Sequence, residues 1–352
     1  MAKPPSAPAA TAATSGSPSL STRLHLSPRA SDVLIAVGAL TVARFAFRGA
    51  QMLYRSFLRG RRSNLSRYQT PSEDGWALVT GCTSGLGEAF AFELARRGFH
   101  VMLVARNAGK LQEVSDAIRA KYPRTITRII VSDAAATGPE SAAAVDAVRT
   151  AAAEVPLRLL INNVGVLDES RFVDQSSKAM GEMIQANVAY TTLLTHALLP
   201  QLQREASAAA GARTGVLFVS SQCGVFGVPF LAVYSATKSF VIGLSHSLRD
   251  ELRNDHSALA GSGRVDVSCF TPSRLCTRMT GIQDPSLFVP SAEAVAQAAL
   301  DRLGLREFAG VAAHQIMRDL GEGIDEETRG TIAYRGMEQE RRRKEKQGKS
   351  SG

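Results

Sequence analysis

Thr80-Gly81-Cys82-Thr83-Ser84-Gly85-Leu86-Gly87 is the stretch on which the reading of this chain turns. It follows a short apolar run, Ala77 to Thr80, and opens a helical stretch. In that setting glycines let backbone approach a pyrophosphate, and the helix N-terminus favours its charge. Gly81, Thr83, Ser84, Gly85, Leu86 and Gly87 are therefore candidate dinucleotide contacts. Working outward, short apolar strands alternate with helical stretches from Trp76 onward, which predicts an α/β fold: a doubly wound parallel sheet of Rossmann type in a single catalytic domain. The predicted strands are Ala77 to Thr80, His100 to Val104, Thr127 to Val131, Leu157 to Ile161, Gly215 to Val219 and Val265 to Phe270. Gln201 to Thr214 and His256 to Gly263 carry no periodic apolar face and read as enlarged loops.

An acidic residue that binds the ribose 2′-hydroxyl of NAD belongs ~20 residues beyond the glycines. That place holds Ala105-Arg106-Asn107, with Lys110 nearby. Arg106 pairs with a 2′-phosphate, so NADP(H) is favoured; an ordinary surface arginine is the alternative. Asn162-Asn163-Val164-Gly165 puts amides at the carboxyl edge of the sheet, where this architecture binds ligands, although two asparagines also suit a plain turn.

Tyr234 and Lys238 stand four apart at the start of a predicted helix and share one face. A free phenol has a pKa near ~10, so a neighbouring cation is needed to stabilise the phenolate that develops as it gives its proton to a carbonyl oxygen. Ser221 lies thirteen residues earlier, just past a strand, where its hydroxyl can hold the same oxygen; Ser220 is the weaker candidate. Asn187 sits inside a predicted helix, Met183 to Leu199, where asparagine is not preferred, and is a candidate holder of a water relaying protons to Lys238.

The spacing G-x-x-x-G-x-G, the NNVG run, Asn187, Ser221 and Y-x-x-x-K, in this order, make residues Gly75 to about Arg278 resemble the short-chain dehydrogenase/reductase family. That resemblance implies a catalytic set of Asn187, Ser221, Tyr234 and Lys238, a cofactor contact at Asn163, and an adenine contact at Asp133, for which a helix cap is the alternative. Gly75-Trp76-Ala77, Val104-Ala105-Arg106-Asn107, Val228-Pro229 and Phe288-Val289-Pro290-Ser291 are similar to one subgroup, the very-long-chain 3-oxoacyl-CoA reductases, which overlaps the 17β-hydroxysteroid dehydrogenases. It implies NADPH-dependent reduction of a long 3-oxoacyl-CoA during fatty acid elongation in the endoplasmic reticulum membrane. Other elongation subunits would be partners there. A steroid or other lipid ketone is the alternative substrate, a non-catalytic cofactor-binding scaffold is a third reading, and homo-oligomerisation stays open. The chain departs from the family with Pro272-Ser273 after the sixth strand, Gln222-Cys223 after the serine, and a polar segment from Gly321 to Gly336.

Outside the core, residues 1–30 are rich in Ala, Pro, Ser and Thr and read as a disordered tail. Residues 31–60 read as a membrane-anchoring helix. Arg44 and Arg48 interrupt its apolar run short of the ~20 residues that span a bilayer, so it either enters the membrane at Val33 with its arginines at the headgroups or lies in the interface. A soluble amphipathic helix is the alternative. Seven arginines (44, 48, 55, 59, 61, 62, 67) follow the apolar run against Lys3, Arg23 and Arg29 before it, which leaves the 72–320 domain in the cytosol. Much of the net charge of +9 sits in Arg44 to Arg67 and in the tail around Arg341 to Lys349, outside the core, so it argues for lipid and against nucleic acid. Four cysteines without a CxxC pair, and scattered histidines, point to no metal site.

Overall fold

The computed structural model describes residues 28–58, 65–69, 75–208, 212–254, 264–277, 279–282 and 284–350. The chain divides between Gln51 and Met52 into two compact units. Helix α1 (Pro28–Leu53) makes up the described part of the first unit and ends just inside the second, where a π-helical turn, Tyr54–Leu58, follows it. Arg44 and Arg48 do not break it: Arg29–Leu58 is one helix of 30 residues, long and apolar enough to cross a membrane. At 1.5 Å per residue it measures about 45 Å, against about 30 Å of hydrocarbon. The predicted tail before Pro28 and the predicted loop His256 to Gly263 lie outside the described residues.

The second unit holds a seven-stranded parallel sheet in the order β3-β2-β1-β4-β5-β6-β7. Its strands are β1 (Trp76–Thr80), β2 (His100–Ala105), β3 (Thr127–Val131), β4 (Leu157–Asn162), β5 (Arg213–Val219), β6 (Arg264–Phe270) and β7 (Glu307–Phe308). Every residue of β1, β2 and β4 is buried, because helices cover both faces. On one face α2 (Gly85–Arg96), α3 (Ala108–Lys121) and α9 (Ala292–Asp301) bring Phe90, Leu94, Leu111, Ile118 and Val295 into one apolar layer. On the other face α4 (Pro139–Ala152), α6 (Thr191–Ser207) and α8 (Ala232–Asn254) bring Val148, Leu194, Leu198 and Val241 into the second.

The order reverses between β1 and β4, so the loops leaving these strands part in opposite directions and open a crevice at their carboxyl ends. Three differences from the predicted elements stand out. α6 runs to Ser207, so Gln201 to Ser207 is helix and not loop; Leu202 and Ala206 are buried on it, and Gln201 donates to the carbonyls of Ala152 and Val155. The helix around Asn187 is broken into α5 (Ser177–Ile184), a π-helical turn Gln185–Tyr190, and α6. Residues 321–352 do not form a separate polar tail among the described residues. The boundary at 321 cuts α10 (Ala312–Glu322), and α11 (Glu326–Ser350) returns to the domain through Met337, which is 6% exposed.

Candidate active site

The glycine loop is locked from across the crevice. Thr80 Oγ1 accepts the backbone amides of Asn163 and Val164, both at 3.0 Å, and the Asn163 amide donates to the carbonyls of Thr80 at 3.0 Å and Gly81 at 3.3 Å. Asn163 thus holds the loop itself and also lines the cavity. Gly81 has φ +66°, and a Cβ on Gly87 would lie 2.2 Å from the Gly81 carbonyl oxygen, so only glycine lets α2 start this close to the loop. Ser84, at the N-cap of α2, makes no side-chain bond to the first turn. The amides there remain turned to the crevice, where a phosphate-bearing ligand fits.

All six loop residues predicted as contacts line one cavity of about 590 Å³, together with Arg106, Asp133, Asn163, Ser221, Tyr234 and Lys238. Arg106 is exposed at its rim, directly after β2. Asp133 is exposed too, and it accepts the Ala135 amide at 3.0 Å in a turn-capping bond.

At the cavity floor, Tyr234 and Lys238 lie on the first turns of α8, and the Lys238 Nζ stands 5.7 Å from the Tyr234 ring centroid. Lys238 is 4% exposed and donates to the Val219 carbonyl at 2.9 Å. Burial lowers its pKa to about 8. Burial moves the half-buried Tyr234 phenol the other way, well above its ordinary value, the nearby Cys223 adds to the rise, and a hydrogen bond with Ser221 opposes it. Ser221 caps the short helix α7 (Gln222–Phe226), its Oγ accepting the Cys223 amide at 3.2 Å. Ser220 is spent elsewhere: buried, it donates to the Lys238 carbonyl at 2.7 Å.

Asn187 is 1% exposed, and its side chain makes three hydrogen bonds. It accepts the Val166 amide at 2.7 Å and donates to the Val166 carbonyl and to Thr237 Oγ1, each at 3.0 Å. The amide ties the β4 loop to α8 beside Tyr234. Thr80 and Gly224 escaped the sequence reading. A Cβ on Gly224 would come 2.6 Å from the Lys238 carbonyl carbon, so this glycine lets α7 lie against α8 and brings Ser221 to Tyr234. Their partners are distant in sequence, and no local spacing marks them.

The family model described as short chain dehydrogenase matches residues 75–285. The chain belongs to the short-chain dehydrogenase family. Members similar to it include the very-long-chain 3-oxoacyl-CoA reductase of Mus musculus, 31% identical over 84% of this chain and 89% of that one. The Homo sapiens protein of the same name is 32% identical over 82% and 87%. Among solved structures, a short-chain dehydrogenase from Sphingobium yanoikuyae in complex with NADPH is 25% identical, with a TM-score of 0.57 over 71% of this chain and 94% of that one. A 7β-hydroxysteroid dehydrogenase, 21% identical with a TM-score of 0.62 over 74% and 96%, shares the fold. As a short-chain dehydrogenase the chain is an oxidoreductase, and its Ser221, Tyr234 and Lys238 line one cavity.

Proposed function

We propose that this chain reduces the 3-oxo group of a long-chain 3-oxoacyl-CoA to the 3-hydroxy compound, with NADPH as reductant and Tyr234 as proton donor. The observation that carries the reading is the meeting of Ser221, Tyr234 and Lys238 in a cavity with two unlike ends. One end is the glycine loop with Arg106. The other is walled by Phe226, Val228, Met279, Ile282, Met317 and Met337, an apolar surface suited to an acyl chain. The names of the reductases in mouse and human support the acyl-CoA class, and the NADPH complex from Sphingobium supports the cofactor.

The glycine loop and Arg106 would hold NADPH, which when bound would supply a hydride to the carbonyl carbon. Tyr234, kept protonated by burial, gives its phenolic proton to the carbonyl oxygen as the C=O π bond is lost. The Lys238 ammonium stabilises the phenolate that remains. Ser221, already accepting the Cys223 amide, keeps its hydroxyl proton for the substrate oxygen. Asn187 acts as a positioning residue, holding Val166 and Thr237 around the tyrosine. A membrane-anchored protein of the endoplasmic reticulum, with this domain in the cytosol beside other elongation enzymes, fits the 30-residue apolar helix and the arginines after it.

The test follows NADPH absorbance with purified full-length chain, long 3-oxoacyl-CoA substrates and a panel of ketosteroids. Turnover of the acyl-CoA is expected, with Tyr234→Phe lowering kcat by about 10²–10⁴-fold. Turnover of ketosteroids alone would sink the acyl-CoA reading, and an unchanged rate in Tyr234→Phe would sink the mechanism.

A further inference from the structure

Within the catalytic unit, α10 carries Met317, one of the residues that line the cavity. The π-helical turn Tyr54–Leu58 of the same unit packs on α10: Ser56 is 2% exposed and Arg55 pairs with Asp319 at 3.5 Å. Around that contact the surface is apolar and open. Leu58 is 62% exposed, Tyr54 55%, and on α10 Met317 and Leu320 are exposed one turn apart, with Ile324 just beyond the helix end. Isolated exposed apolar residues are ordinary; a set gathered on one turn and the helix packed against it marks an interaction surface. Gln51, the last residue of the first unit, precedes Leu58 by seven residues, so at most about 10 Å of helix joins the apolar segment to the turn that packs on α10.

Charge does not oppose that contact. Asp319 is neutralised by Arg55 and also accepts the Gln315 amide at 3.0 Å, and Glu322 is paired with Arg318 at 3.0 Å. The exposed acids Asp325, Glu326 and Glu327 follow Ile324, which favours a zwitterionic lipid surface over an anionic one. Met317 is on both sides of the wall: it is 37% exposed and it also lines the cavity.

We infer that the outer edge of α10 seats on a phosphatidylcholine-type bilayer surface, so that an acyl chain passes between membrane and cavity beside Met317. This rests on the membrane-anchored, lipid-directed reading given above. It adds a second membrane contact, made by the catalytic domain itself, and a direction of entry. The apolar faces of Leu320 and Ile324 lie in the headgroup and upper acyl region, and substrate needs no passage through water.

The test uses the full chain in phosphatidylcholine vesicles whose acyl chains are brominated near the headgroup. Tryptophan is placed at Leu320→Trp or, as control, at Ile126→Trp, which is exposed before β3 at the opposite edge of the sheet. The single native tryptophan, Trp76, is buried and contributes a constant background. Leu320→Trp is expected to lose about half of its added emission relative to unbrominated vesicles, as befits a ring ~5–10 Å into the interface, and Ile126→Trp none. Equal emission at both positions in chain that floats with the vesicles overturns the seating while leaving the anchor intact. Chain that does not float overturns the anchor and the seating together. A second measurement reads the entry route: Leu320→Glu is expected to slow a vesicle-bound long-chain substrate several-fold and to leave a water-soluble short-chain one unchanged, and equal slowing of both overturns it.

Discussion

Lys238 holds a charge that its surroundings penalise, and the pH dependence of the site follows. Burial is the largest cause of its lowered pKa of about 8, so the ammonium is present below that pH and lost as pH rises through it. Tyr234 is pushed upward and stays protonated across the same range. Reduction measured as kcat/KM in the free enzyme is therefore expected to hold from about pH 6 and to fall above about pH 8; a profile flat to pH 10 would mean the lysine charge is not used. Arg106 provides a separate check. It stands at the cavity rim and makes no ion pair among the described residues, so a 2′-phosphate gains a charge-assisted partner there. Arg106→Ala should raise KM for NADPH by about 10-fold or more and leave KM for NADH nearly unchanged, the bond being worth ~1.5–3 kcal/mol. These residues were legible because their spacing is local: Tyr234 and Lys238 share a helix face, and Arg106 follows its strand directly. Thr80, Gly224 and the bonds of Asn187 were not, since each acts on a partner brought close only by folding.

At the scale of elements, α11 is where pattern and structure part. Its sequence is dominated by glutamate and arginine, which reads as a solvated helix, yet one face meets the cavity mouth. Arg274 pairs with Glu340 at 2.5 Å and touches the Met337 sulfur at 3.2 Å, and Tyr334 packs on Phe230 with ring centroids 5.4 Å apart. Phe230 itself has φ +66°, a conformation that costs a non-glycine residue ~1–3 kcal/mol and is held here by the packing around it. Among the described side chains of α11, Met337 is the one buried below a tenth, so Met337→Ala should release this helix rather than unfold the domain. Trypsin is expected to cut faster near Arg335 and Arg341, with KM for a long acyl substrate raised and the unfolding midpoint little changed. A variant as resistant as the parent would show that α11 is held by other contacts. The six longer strands were readable to within one or two residues because parallel strands covered on both faces must be continuously apolar. Glu307–Phe308 was not, for two residues carry no period. The π-helical turn at Asn187 likewise has no sequence signature: one extra residue in the helix is decided by what its side chain must reach.

For the whole molecule, the basic balance and the apolar run near the N-terminus suggested a lipid setting, and the helix Arg29–Leu58 has the length and composition for it. By itself the sequence determined the α/β fold, the glycine loop, the cofactor preference and the serine, tyrosine and lysine of the site, because apolar period, turn glycines and helix-face spacing act over a few residues. Only the tertiary structure decided how these parts work as one cavity. Thr80 and Asn163 lock the loop across some eighty residues, Gly224 lets two helices touch, and α10 and α11 close the apolar end. Those decisions rest on contacts between segments far apart in the chain, where close packing and paired polar groups select the partner and local pattern says nothing of it.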